Sequence, residues 1–144
     1  MNLRPLFTLQ LEVGPIQKPA GLVIGVVSGG SFEGPRLKGR VLAGGSDWQR
    51  VQPDGSLRLD CRLVLETTQG ELIAMTYSGV RAGPAEVLAK LASGAPVPAD
   101  EYYLRVQPAF ATSSSRHAWL NTIVAVGEGA RLPHGPVYSL FEVL

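Results

Sequence analysis

Apolar and polar residues alternate along most of the chain. Phe7, Leu9, Leu11 and Val13 are apolar, with Thr8, Gln10 and Glu12 between them. That is the pattern of a strand with one desolvated face. Leu22 to Val27 is apolar apart from Gly25 and predicts a more deeply buried strand. It runs into Ser28-Gly29-Gly30-Ser31-Phe32-Glu33-Gly34-Pro35, whose glycines predict a loop. Lys38 to Leu42 predicts a short strand ended by Gly44-Gly45, with Asp47-Trp48 at the following loop tip. Pro53-Asp54-Gly55 predicts a turn, because Pro presets φ and Gly accepts a positive one. The strongest signal is a hairpin: Leu57–Thr67 and Glu71–Arg81 joined by Thr68-Gln69-Gly70. Tyr102–Phe110, Ala118–Val126 and Val137–Val143 complete the predicted strands. Loops are expected at Thr112–Arg116 and from Glu128-Gly129 to Gly135-Pro136.

One segment has helical chemistry. Pro84 begins it, Val87, Leu88 and Leu91 form a narrow apolar stripe, and Gly94 stops it. No internal repeat or linker divides the chain. The expectation is an all-β domain over residues 1–144, a mainly antiparallel β-barrel of roughly eight strands or more. One short helix near 84–93 plugs or flanks one end. Closure is favoured over an open sandwich because it removes exposed strand edges.

Composition changes this picture in two ways. Charged residues make up 17% of the chain, against about 25% in a typical domain. A barrel so poorly charged is expected to bury part of its outer wall against a second copy, as a homo-oligomer. The net charge of +1 is spread along the chain, which argues against a nucleic-acid face. Cys61 is the single cysteine, on the leucine side of its strand, so it forms no disulfide framework and fits a reducing compartment. No apolar run approaches the roughly 20 residues of a membrane span. Leu6–Val13 alternates, unlike a signal peptide, so the expected setting is cytoplasmic, away from membranes. Nucleophile-elbow, phosphate-loop and dinucleotide-binding motifs are all missing. His117, His134 and Cys61 are too few and too scattered for metal ligation, so neither a metal nor a cofactor is expected.

In a strand, residues two apart share a face. Asp60 and Arg62 therefore point together, as do Tyr77, Gly79 and Arg81, then Tyr103, Arg105 and Gln107, then Trp119 and Asn121. Each set by itself is adequately explained as the solvated side of its strand. Together they are richer in Arg, Tyr, Trp, Asn and Asp than a ligand-free wall needs, and those side chains satisfy specific partners. Asp47-Trp48 is a further candidate, either a pocket rim or a local cap beside a core-covering Trp.

The chain resembles the bacterial UPF0311 family of uncharacterised proteins, also called DUF3237. The resemblance is carried by Gly39-Arg40-Val41-Leu42, Gly44-Gly45-Ser46-Asp47-Trp48, Leu59-Asp60-Cys61-Arg62, Gly79-Val80-Arg81-Ala82-Gly83-Pro84, Glu101-Tyr102-Tyr103-Leu104-Arg105 and Trp119-Leu120-Asn121. It implies a barrel of the calycin type and leaves the activity open.

The leading functional expectation is a cofactor-independent isomerase, cyclase, lyase or hydrolase acting on a small organic acid or aromatic molecule. Asp60 or Asp47 would serve as base and Tyr103 as acid. Arg81 or Arg105 would hold an anion. Arg40, Asp47, Trp48, Arg62, Tyr77, Arg81, Arg105, Trp119 and Asn121 are the candidate ligand-binding residues. A non-catalytic carrier or sensor, or an oligomeric scaffold, are the alternatives. The charge deficit makes the first testable prediction: light scattering at micromolar concentration should return the mass of a dimer, and a strictly monomeric mass would refute it.

Overall fold

The computed structural model describes all of residues 1–144. Nine strands are present: β1 (Leu3–Gln17), β2 (Leu22–Glu33), β3 (Lys38–Val41), β4 (Gly45–Val51), β5 (Leu57–Thr67), β6 (Leu72–Ala82), β7 (Tyr103–Ala111), β8 (Val124–Leu132) and β9 (Gly135–Val143). All pairings are antiparallel, and β1 pairs with both β2 and β9, so the sheet closes on itself. β3 and β4 lie end to end between the long strands β2 and β5 and share one place in the wall. The result is a closed antiparallel barrel with eight strand positions.

The predicted hairpin is the registered pair β5–β6, from Leu57 opposite Arg81 to Glu66 opposite Leu72. Gly70 supplies the positive φ of its turn at +83°. At the Pro53-Asp54-Gly55 turn, the Asp54 carboxylate accepts the Ser56 N–H at 2.9 Å. The helix α1 (Ala85–Ala92) starts after Pro84, with Glu86 in its first turn and Lys90 in its last, matching the helix dipole. Gly94 ends it at φ +85°, and the Ala95 N–H donates back to the Lys90 carbonyl at 3.0 Å.

Three predicted loops are strand instead. Ser28–Glu33 continues β2, Asp47-Trp48 lies within β4, and Glu128–Leu132 continues β8 to a tight turn at Pro133-His134. The glycines of β2 serve close approach: at Gly30 (φ +145°) a Cβ would drive into the Gln10 carbonyl of β1. A fourth difference runs the other way. Ala118–Thr122 is a short 3-10 turn, and strand begins only at Val124. The Asn121 side chain both accepts from and donates to the Thr112 backbone, at 2.8 and 3.0 Å, and folds this segment back on the barrel.

One connected apolar core fills the barrel. Leu57, Leu59, Cys61, Leu63 and Leu65 of β5 and Ile73, Met75 and Tyr77 of β6 point inward in strict alternation. α1 covers one end with Val87, Leu88 and Leu91, each buried leucine there worth about 1.5–3 kcal/mol. Leu120 of the 3-10 turn covers the other, near the tilted rings of Phe7, Phe32 and Phe110. No helix is long and apolar enough to cross a membrane.

Glycine placement gives the second prediction. Gly70 has open space around it, so Gly70→Ala should cost only the left-handed backbone term, about 1–2 kcal/mol. Gly30→Ala adds overpacking of roughly 1–3 kcal/mol more. Urea midpoints at unchanged slope measure both. Equal losses would show that the β1–β2 approach does not dictate glycine there.

Candidate functional site

Strand parity decides which polar side chains the barrel encloses. The apolar face of β5 must turn inward, because Leu57, Leu59, Leu63 and Leu65 have no other place to escape water. β-pairing then fixes the parity of its neighbours. Asp47 of β4 lies opposite Cys61, and Cys61 lies opposite Tyr77 of β6. A row of Asp47, Cys61 and Tyr77 therefore crosses the middle of the inner wall. Tyr138 of β9 enters from the far side, its ring 5.2 Å from that of Tyr77 and tilted by 58°. Arg81 follows Tyr77 and Gly79 on the inner face of β6, toward the end covered by α1.

This cluster is short of partners. Asp47 is 5% exposed, and its Oδ2 accepts from the Gln49 amide at 3.0 Å. Its Oδ1 has no hydrogen bond, and neither do the Tyr77 hydroxyl beside it and the Arg81 Nε. Each orphaned buried polar atom costs on the order of 1–3 kcal/mol. Three of the five such atoms lie along this inner wall, and the other two are the ring nitrogens of His117.

The electrostatics agree. Burial pushes the Asp47 carboxyl above its ordinary range, opposed by the Gln49 hydrogen bond. Burial also raises the Tyr77 and Tyr138 phenols, with the nearby Asp47 charge adding to each. The Cys61 thiol is pushed up to about 12, again mainly by burial, which keeps it neutral and unreactive. Burial and the like charge of Arg131 lower Arg81. The interior thus holds a carboxyl raised above its ordinary range, two phenols that remain hydrogen-bond donors, and a partly desolvated cation.

Of the residues expected from sequence to form the site, Asp47, Tyr77 and Arg81 come together inside. The others do not. Asp60 and Arg62 alternate with Leu59, Cys61 and Leu63, so the inward turn of the leucines sends both to the outer wall. Tyr103 (52% exposed) and Arg105 are outside for the same reason, since Leu104 and Val106 take the interior. Trp48 points outward from β4, and Arg40 pairs with Glu66 on the surface at 2.9 Å. Trp119 and Asn121 share no strand face, because their segment is a 3-10 turn. Trp119 packs on the core under the Arg36 guanidinium, 3.6 Å from its ring, and Asn121 is spent on the Thr112 backbone. The sequence reading passed over Tyr138, Gln49 and Arg131. Tyr138 carried a signal, sharing its face with Leu140 between two half-buried neighbours.

A surface depression of about 710 Å³ lies on the outer wall. Arg58, Ser78, Tyr103, Arg105, Gln107 and Glu128 line it together with Leu3 and Phe141. Its charges are solvated, with Arg105 and Glu128 3.7 Å apart and both about half exposed. Water weakens every interaction there. At the end opposite α1, Glu71 collects the Ser114 hydroxyl, Arg116 at 3.8 Å and the buried His117 at 3.3 Å. The Ser114 hydrogen bond above all holds this carboxyl below the usual range, and the group clasps the chain, while both ring nitrogens of the buried His117 lack a hydrogen bond.

A family model described as a protein of unknown function, DUF3237, matches residues 1–143. The fold is similar to the crystal structure of a conserved protein of unknown function from Rhodopseudomonas palustris. That pair shares 31% identity and a TM-score of 0.95, covering 100% of this chain and 99% of the other. It is also similar to a beta-barrel-like protein from Acinetobacter baumannii AYE: 37% identity, TM-score 0.84, covering 98% and 94% of the two chains. A hydroalkoxylation enzyme of Penicillium herquei, phnH, is 30% identical over 131 residues, covering 88% of this chain and 72% of that protein.

The raised Asp47 makes the third prediction. The folded protein holds this proton more tightly than the unfolded chain, whose value is near 3.8. The associated stability is complete below that value and is lost as pH climbs through the raised folded one. Asp47→Asn removes the loss. Its melting temperature relative to the native chain should be nearly unchanged in acid and clearly higher at pH 7. A difference independent of pH would show that the carboxyl is not desolvated.

Proposed function

The chain belongs to the DUF3237 family, the UPF0311 proteins, and from that premise we propose that the barrel interior is the active site of a small-molecule enzyme working by proton transfer. One observation carries this: the Asp47 carboxyl is buried beside the Tyr77 hydroxyl, with neither its Oδ1 nor that hydroxyl in a well-formed hydrogen bond, and burial raises it above the ordinary carboxylate range. Nothing about barrel stability calls for that arrangement.

The relative named for hydroalkoxylation supports a reaction class, the addition of an alcohol or phenol O–H across a carbon–carbon double bond. In such a step the substrate oxygen forms a C–O bond to one alkene carbon and loses its proton. The other alkene carbon gains a proton, so the sum is an isomerisation when both groups sit on one molecule. The Asp47 carboxylate accepts the hydroxyl proton, and its acid form returns one to carbon, leaving the enzyme unchanged. Tyr77 and Tyr138 donate hydrogen bonds to the oxygen that carries developing negative charge. Leu57, Leu59 and Leu104 pack in the same core as the two tyrosine rings, so a molecule reaching Asp47 displaces part of that apolar filling, which suits an aromatic or unsaturated substrate.

The test is a panel of phenols and alcohols bearing an alkene within reach of the hydroxyl, with cyclised products separated by chromatography. Asp47→Asn should lower kcat by roughly 10²–10⁴, the usual share of a general acid–base, without lowering thermal stability. Tyr77→Phe should reduce kcat less. Full turnover by Asp47→Asn would overturn the reading. Saturable binding across the panel with no turnover would favour a carrier.

A further inference from the structure

We propose that Arg81 and Arg131 form an anion subsite at the α1-covered end of the barrel, so that the molecule held there carries a carboxylate or a similarly compact anionic group. This rests on the interior cluster being the working site, and it adds the ligand's charge and orientation.

Parity and register bring the two arginines together. Arg81 continues the inward series Ile73, Met75, Tyr77 of β6, and Arg131 continues Ala125, Gly127, Gly129 of β8. Arg81 is opposite Leu104 of β7. β7 pairs with β8 at Arg105 opposite Glu128 and Val106 opposite Gly127, which carries Tyr102 and Arg131 to the same end of the wall. The Tyr102 side chain reaches that strand end, its hydroxyl accepting from the Arg131 backbone N–H at 2.8 Å. The two arginines thus flank the same end of β7. A Cβ on Gly94, just past α1, would meet the Arg131 guanidinium at 3.8 Å, so that side chain lies under the helix end.

Neither arginine has a carboxylate. Arg4 and Arg36 share Glu142, Arg40 takes Glu66, Arg105 takes Glu128, and Arg116 takes Glu71. Arg81 and Arg131 are absent from every ion pair within 4.0 Å, and the Arg81 Nε is buried without an acceptor. The positive charge of Arg131 acts on Arg81 more strongly than the negative charge of Asp47. Arg81, its Nε buried, feels the charge of Arg131, and two cations without ion pairs at one end of the barrel are unfavourable until an anion joins them. Guanidinium groups match the planar fork of a carboxylate, and Tyr102, already accepting from Arg131, keeps its own proton to donate. Repulsion from Asp47 would set the anion at the arginine end and leave the opposite end of the ligand facing the acid–base pair.

The experiment uses sodium benzoate and the neutral benzyl alcohol as probes, in thermal-shift titrations at constant ionic strength. Benzoate should stabilise the native chain at millimolar concentration, and benzyl alcohol should do so much less. Arg81→Met and Arg131→Met should each weaken benzoate about tenfold or more, the loss of a charge-assisted hydrogen bond. Arg81→Met without probe should melt no lower than the native chain, because it removes a half-buried cation whose Nε has no acceptor. Arg105→Met, on the outer wall, should leave the benzoate affinity unchanged. Equal shifts from the two probes, no benzoate shift, or equal weakening by Arg105→Met would overturn the subsite. Those outcomes leave the proton-transfer reading standing, since turnover by Asp47→Asn on uncharged substrates decides it separately.

Discussion

Closing a sheet with eight strand positions leaves an interior only wide enough for side chains to fill, and every strand must surrender one face to it. That constraint organises the molecule. β5 commits first, because five consecutive inward positions are Leu57, Leu59, Cys61, Leu63 and Leu65, an apolar set with no alternative location. Each pairing step then transmits the choice around the wall. Asp47 and Tyr77 are inside because their partner Cys61 is inside, although each is polar enough to prefer water. The site is therefore a consequence of register: a slip of one residue in β4 would replace Asp47 by Trp48 in the interior.

Alternation in the chain made the strands legible, and the β5–β6 hairpin with its Gly70 turn and the Pro84–Gly94 helix could be read nearly to the residue. What it conveyed less well was length and parity. Glycine in a strand at close approach looks the same as glycine in a loop, so β2 and β8 seemed to stop early at Ser28 and Glu128. The 3-10 turn at Ala118–Thr122 is held by Asn121 on the Thr112 backbone, a contact that local periodicity does not contain.

The candidate site was half legible for a related reason. Asp60, Arg62, Tyr103 and Arg105 were attractive because they are chemically versatile and share faces. The informative question was which polar residues share a face with leucines. By that criterion Tyr77 and Arg81 belong with Ile73 and Met75, and Tyr138 belongs with Leu140. Asp47 lies outside its reach, since the strand that carries it sits between Gly44-Gly45 and Pro53 and its parity comes only from pairing with β5.

The polar groups of this barrel fall into two energetic kinds. Glu142 and Glu71 are saturated: the first by Arg4 and Arg36, the second by Ser114, Arg116 and His117, so each carboxyl is held below its usual range and stays ionised. Both tie distant segments of chain together, Arg36 to β9 and the Ser114 loop to the β5–β6 turn, where water can still solvate what the pairing leaves over. Asp47, Tyr77 and Arg81 are the reverse, on the inner wall and with buried atoms left over. A buried carboxyl and a buried cation on the same inner wall, joined by no ion pair, gain little from each other and lose their hydration. The pairing that stability alone would favour is missing in the one place where the protein had both charges at hand. On the proposed reading, that gap separates a proton-handling group from an anion-holding one along the barrel axis, the separation a substrate with two chemically different ends requires.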